Sequence, residues 1–152
     1  MSEQQTALRL SDLIDTVRPE EGVWVQYQDT TFHLRVTYYG KPQMEKMFEA
    51  AKTVKLNMRN LKEEEDMDRL KFRKLYAKKV IQEWKGLTVE VLRKLVILKL
   101  DANLNPTDEI PCTDENKEML IQYSLEFDQW LAGVTQKVVT FNAEKKEAEL
   151  KN

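Results

Sequence analysis

The chain carries few residues suited to chemistry. It has one histidine, His33, and one cysteine, Cys112. A zinc site would have to draw most of its ligands from carboxylates, which is uncommon. His33 falls on the polar face of an alternating stretch, where a histidine ordinarily meets solvent. Cys112 would need a base and an orienting group to act as a nucleophile, and its base could only be His33. A single cysteine also excludes an intramolecular disulfide framework and a CxxC motif, and it fits a reducing compartment.

The run "EEEDMD" (63–68) holds five acids. Consecutive carboxylates on a helix point in different directions, and the run lacks the alternating ligands and central glycine of a calcium loop. It reads as the solvated start of a helix. The following "RLKFRKLYAKK" (69–79) holds six basic residues with Phe72 and Tyr76 interleaved, a pattern that could track a phosphate backbone. The acids just upstream cancel most of that field, and no nucleic-acid recognition motif accompanies it. No GxxxxGK[ST] or GxGxxG loop is present. The residues therefore predict no catalytic, cofactor-binding or metal-binding site and a non-enzymatic protein, with nucleic acid a minor alternative.

The chain's 152 residues suit one domain with a real core. It is 41% apolar and 33% charged, with a formal net charge of −2. That charge gives no global pull toward nucleic acid or anionic membrane. Four glycines and four prolines favour long regular elements. The N-terminus shows no cationic head followed by an apolar core, so no secretory signal is expected. The apolar-rich run "LTVEVLRKLVILKL" (87–100) is interrupted by charges and too short to span a membrane. A soluble, intracellular protein is expected.

Residues 1–22 form a polar lead in which "ALRLSDLIDTV" reads equally as a short helix or an edge strand. "VWVQY" (23–27) and "TTFHLRVTYY" (30–39) are rich in β-branched and aromatic residues. Phe32, Leu34, Val36 and Tyr38 alternate with polar neighbours, which predicts a half-buried hairpin over 23–39. Pro42 suits the first position of a helix. Met44, Met47, Phe48 and Ala51 then form one stripe, predicting a helix over about 42–60. A second helix over 64–85 places acids before bases and turns Ala77, Val80, Ile81 and Trp84 inward. Gly86 stops it and Thr88 caps a helix over 88–100. Thr113 or Asp114 caps the last helix, 113–141, with a kink expected at Gly133. The charged tail 142–152 reads as a frayed helix or as disorder. The predicted class is mainly α with a small N-terminal β-hairpin: one helical domain over 23–141 with a helical C-terminal tail.

The order of the motifs resembles one family. "GVWVQY", "FHLRV", a Met/Phe helix, "VIQEWKGLT", "IPCTDEN", "FDQW" and "FNAEKKE" follow one another as in the tail assembly chaperones of long-tailed bacteriophages and prophages. The matching positions are Trp84, Gly86 and Leu87; Pro111, Thr113, Glu115 and Asn116; Phe127, Asp128 and Trp130; and Phe141 and Asn142, within about residues 22–145. Relatives commonly carry Phe or Tyr where this chain has Cys112. The resemblance implies a protein of the bacterial host cytoplasm that binds the long, apolar, helical tape measure protein and keeps it soluble. Tail tube protein is a second implied partner, and self-association is common in the family.

Adaptable methionine and aromatic side chains suit such a surface. Met44, Met47, Phe48 and Met58, with Tyr123, Phe127 and Trp130, are the candidate partner-binding residues, on the helix 42–58 and the outer face of 114–141. Two alternatives remain: a structural head–tail or tail completion protein, and a small nucleic-acid-binding regulator. Trp84 is expected to be mostly buried near Phe127 or Trp130.

Overall fold

The computed structural model describes residues 7–100 and 103–142. A short turn of helix, α1 (Leu10–Leu13), and a 3-10 turn (Arg18–Glu20) lead into strands β1 (Val23–Gln26) and β2 (His33–Val36). Helix α2 (Lys41–Ala51) passes directly into β3 (Lys52–Asn57), which turns back as β4 (Lys62–Met67). Helix α3 (Arg69–Val80) runs straight into β5 (Ile81–Lys85), and α4 (Val89–Leu92) follows. Helices α5 (Asp114–Tyr123), α6 (Leu125–Thr135) and α7 (Val138–Asn142) complete the described chain.

The fold is therefore mixed, not mainly helical. Its strands make two small antiparallel sheets, β1-β2-β5 and β3-β4. The predicted hairpin exists, and β5 completes it, with Leu34 opposite Trp84. Phe32, Leu34 and Val36 are buried, as their alternation requires, while His33 and Arg35 are half-buried. The phase slips beyond the strand, where Thr37 and Tyr39 are buried and Tyr38 is only half-buried.

Three predicted helices are corrected. The helix expected over 42–60 ends at Ala51, where "KTVKLN" puts Thr53 and Val54 side by side and favours a strand. The helix expected over 64–85 is strand, helix and strand. The acids of 63–66 lie in β4, Asp68 caps α3 by accepting from the Lys71 N–H, and Ile81–Lys85 pairs with β2. The opposite charges meet across strands instead of along a helix, Lys52 to Glu65 at 2.8 Å and Lys55 to Asp66 at 2.9 Å. Such exposed pairs are worth little singly. Only Val89–Leu92 of the run 88–100 is α-helical.

The last predicted helix, 113–141, is three helices. It breaks at Ser124, whose hydroxyl caps α6 by accepting from the Phe127 N–H, while Gly133 lies inside α6. Thr113 caps α5 as expected, while Pro42 is the second residue of α2 and not the first, because the helix already begins at Lys41. Of the predicted tail only Asn142 lies among the described residues.

The core is aromatic where sheet and helices meet. Phe32 stacks on Phe127 at 5.8 Å between ring centroids and takes Trp84 edge-on at 5.5 Å. Tyr27 meets Trp130 edge-on at 4.8 Å, and its hydroxyl donates to Glu126 Oε2 at 3.0 Å. Burial, with that bond to Glu126 second, pushes the Tyr27 phenol up to about 12. Tyr39 and Tyr76 are pushed up as well, by burial first.

The folded state thus holds these protons more tightly than the unfolded chain, whose phenols ionise near 10. The stability they contribute is complete below pH 10 and is lost as pH rises toward 12. Tyr27→Phe is expected to make that alkaline decline shallower, by at most about 1.4 kcal/mol per pH unit. Urea unfolding at a series of pH values between 10 and 12 checks it, and an unchanged slope refutes it.

Candidate functional site: an apolar cleft beside the Gly86 corner

Strand β5 ends in a corner built from both sides. Gly86 takes a left-handed φ of +73°, a conformation in which glycine has no steric penalty. It ends a strand and not the helix that the sequence predicts. Its N–H donates to Glu109 Oε1 at 3.0 Å, and its carbonyl accepts from the Thr31 hydroxyl at 2.8 Å. Thr88 then caps α4 by accepting from the Val91 N–H, and it pairs across an isolated bridge with Glu109.

The incoming segment is tied down in the same place. The Ile110 N–H donates to the Leu87 carbonyl at 2.8 Å, and the Trp84 indole Nε1 donates to the Ile110 carbonyl at 2.9 Å. Asn116 donates through Nδ2 to the Pro111 carbonyl at 2.9 Å, while its own N–H bonds the Thr113 hydroxyl at 3.1 Å. The motif-matching residues Trp84, Gly86, Leu87, Pro111, Thr113 and Asn116 are thus parts of one corner. Trp84 is buried and reaches Phe127 through Phe32.

Beside this corner a cleft of about 470 Å³ opens between the segment 92–98 and α5. Its buried lining is Trp84, Leu87 and Leu120, with Ile110 part-buried. Ile97, Met119 and Tyr123 stand exposed at its edge, Ile97 completely so. The volume lies in the range of ordinary ligand pockets. Asn116 is the polar residue of the lining, and its amide is already engaged with Pro111. Nothing in the lining carries a formal charge, so the cleft is built to cover apolar surface.

The sequence-predicted partner residues do not share one surface. Met47 and Phe127 are buried in the core and cannot meet a partner. Met44 and Trp130 are half-buried. Phe48 is exposed but leans on Phe72 at 5.7 Å, and Met58 stands at the tip between β3 and β4. Of the seven, only Tyr123 lines the cleft. Met119 escaped notice although it lies four residues before Tyr123, the spacing that puts two side chains on one helix face. Ile97 escaped because its run reads as a buried helix.

The reactive groups stay apart from one another. His33 places Nδ1 2.9 Å from the Thr31 carbonyl. Burial pushes the Cys112 thiol up, with Lys117 only partly opposing it, so the sulfur remains protonated and poorly nucleophilic at neutral pH. Burial likewise raises the Asp128 carboxyl against the pull of Arg73. Among the described residues no three His, Cys, Asp or Glu side chains cluster to hold a metal ion, and no helix is long and apolar enough to cross a membrane.

No protein family, curated protein or solved structure matches this chain. What the cleft can bind is therefore read from its lining.

Proposed function

We propose that this chain is a non-enzymatic tail assembly chaperone of a long-tailed bacteriophage or prophage. In the host cytoplasm it covers an apolar helix of the tape measure protein and keeps that protein soluble until tail tube subunits replace it. The observation that supports this is the uncharged apolar cleft between residues 92–98 and α5, with Ile97, Met119 and Tyr123 exposed along it. Covering apolar surface is favourable at roughly 25 cal/mol per Å². The exposed methionine Met119 can adapt to helices of differing sequence. The motif order around Trp84, Gly86, Leu87, Pro111, Thr113 and Asn116 supports the same reading.

The test is capture of a co-expressed tape measure segment by the tagged full chain. Met119→Lys with Tyr123→Lys places two charges at the cleft's exposed edge. Lysine at 119 lies four residues after Glu115, a favourable helical spacing that offsets its repulsion from the lysine at 123, so α5 should survive. The expected result is at least about tenfold weaker capture, about 1.4 kcal/mol, with an unchanged circular dichroism spectrum. Capture at the wild-type level by a folded variant removes the cleft from the proposal. Presence of the chain in purified mature virions would instead favour a structural tail component.

A further inference from the structure

The outer face of the β1-β2-β5 sheet belongs neither to the cleft nor to the core. Strand pairing sets its residues in two rows, Trp24–Arg35–Glu83 and Gln26–His33–Lys85. Alternation sends their neighbours Val25, Leu34, Val36 and Trp84 to the core side. Of the three tryptophans, Trp84 is buried in the core and Trp130 packs against it, while Trp24 stands outside. Trp24, His33 and Arg35 are half-buried, and Gln26, Glu83 and Lys85 are exposed.

The face is cationic and partly preset. Glu83 is the only carboxylate among the six, and it sits on the edge strand β5. Among the described residues, none of His33, Arg35 and Lys85 forms an ion pair. The Arg35 stem lies against Gly22, where an added methyl group would run into its Cγ and into Gln82 Oε1. Gln82 is held in turn, its amide donating to the Glu20 carbonyl at 3.2 Å. The Lys85 ammonium rests 4.7 Å over the Trp24 ring, so a flexible, exposed side chain covers that side of the indole.

We propose that this face binds single-stranded nucleic acid, stacking one base on Trp24 while Arg35 and Lys85 contact the flanking phosphates. Every base has a face that can stack on an indole, and such stacking outweighs an exposed cation–π contact. An incoming base therefore displaces Lys85 from the ring and frees its ammonium for a phosphate. His33, diagonal to Trp24 across the β1-β2 pair, offers a second ring. A duplex does not fit, because its bases are already stacked on one another. An acidic peptide would use the cations and leave the indole idle. The basic helix α3 lacks an open ring, since Tyr76 is buried and Phe72 stacks on it. The inference rests on the sheet face alone and stands or falls independently of the cleft.

The full chain is titrated against a fluorescein-labelled oligothymidylate of about ten nucleotides, a length that such sites cover, and binding is read by anisotropy. A dissociation constant below about 100 μM is expected at about 25 mM salt, weakening as salt rises. Trp24→Ala is expected to weaken binding at least about fivefold, the loss of one stacked base, with an unchanged salt slope. Trp24→Phe keeps a ring and should retain most of the affinity. Lys85→Gln is expected to flatten the slope of log K against log salt by about 0.7, the share of one phosphate contact. Lys74→Gln with Lys78→Gln on α3 should change nothing. Circular dichroism verifies that each variant is folded. No binding at about 100 μM, full affinity in a folded Trp24→Ala, equal binding of the same strand in a duplex, equal binding of polyglutamate, or a loss from the α3 pair as large as that from Lys85→Gln would each overturn the proposal.

Discussion

Phe127→Ala is expected to cost about 3–5 kcal/mol of folding stability. The side chain is fully buried. Its ring lies 5.8 Å from Phe32, 6.1 Å from Tyr27 and 5.9 Å from Trp130, measured between centroids. Removing it deletes the ring that joins α6 to β2 and leaves a cavity walled by three rigid aromatic side chains. Such walls relax little, so both the lost burial and the cavity contribute. A single domain holds only about 5–15 kcal/mol in reserve, so the variant should be marginal. Urea unfolding followed by tryptophan fluorescence measures it, and a loss below about 1 kcal/mol contradicts this account of the core. The result matters for function as well. A Phe127 variant that fails to bind a partner would report a damaged core and not a removed contact.

How far the sequence reveals this fold depends on which pairings are local. Phe32, Leu34 and Val36 alternate because one face of β2 lies on the core, and that pattern is legible with no knowledge of the partner strand. The caps Thr88 and Thr113 are legible for the same reason, since each satisfies N–H groups within its own helix.

The passage from α3 into β5 misleads. Ala77, Val80, Ile81 and Trp84 are all buried at helical spacing, yet the last two belong to a strand. The ladder slips between Arg35 and Val36, pairing Val36 with Ile81 and Arg35 with Glu83. That irregularity puts two exposed residues, Gln82 and Glu83, between two inward ones, and a bulged strand thereby imitates a helix stripe. β4 is equally hidden, because a run of acids gains strand structure only from the lysines and backbone of β3. Of the candidate site, the corner was legible as a break and a cap. The cleft beside it was not, since it arises where the run after Leu92 leaves its helix and turns Ile97 outward.

Gly86→Ala is expected to cost about 2–5 kcal/mol, although it adds one methyl group at the surface. The backbone at φ +73° costs a non-glycine residue about 1–2 kcal/mol. The new Cβ would also be driven into the Thr31 carbonyl oxygen. That oxygen is backbone and cannot rotate away, and forced overpacking adds about 1–3 kcal/mol. Relief would require the turn between β1 and β2 to move off the corner, which would strain the Thr31 hydroxyl bond to the Gly86 carbonyl. Gly133→Ala is the matched control. It lies within α6, nothing would touch its Cβ, and it should stabilise by up to about 1 kcal/mol through helix propensity. Opposite signs for the two substitutions in urea unfolding are the expected outcome. A Gly86→Ala loss under about 0.5 kcal/mol, the scale of an ordinary surface change, would mean that the corner is loose. Trp84 and Leu87 flank Gly86 and line the cleft, so a shifted corner should also weaken capture of an apolar helix, even at temperatures where the variant remains folded.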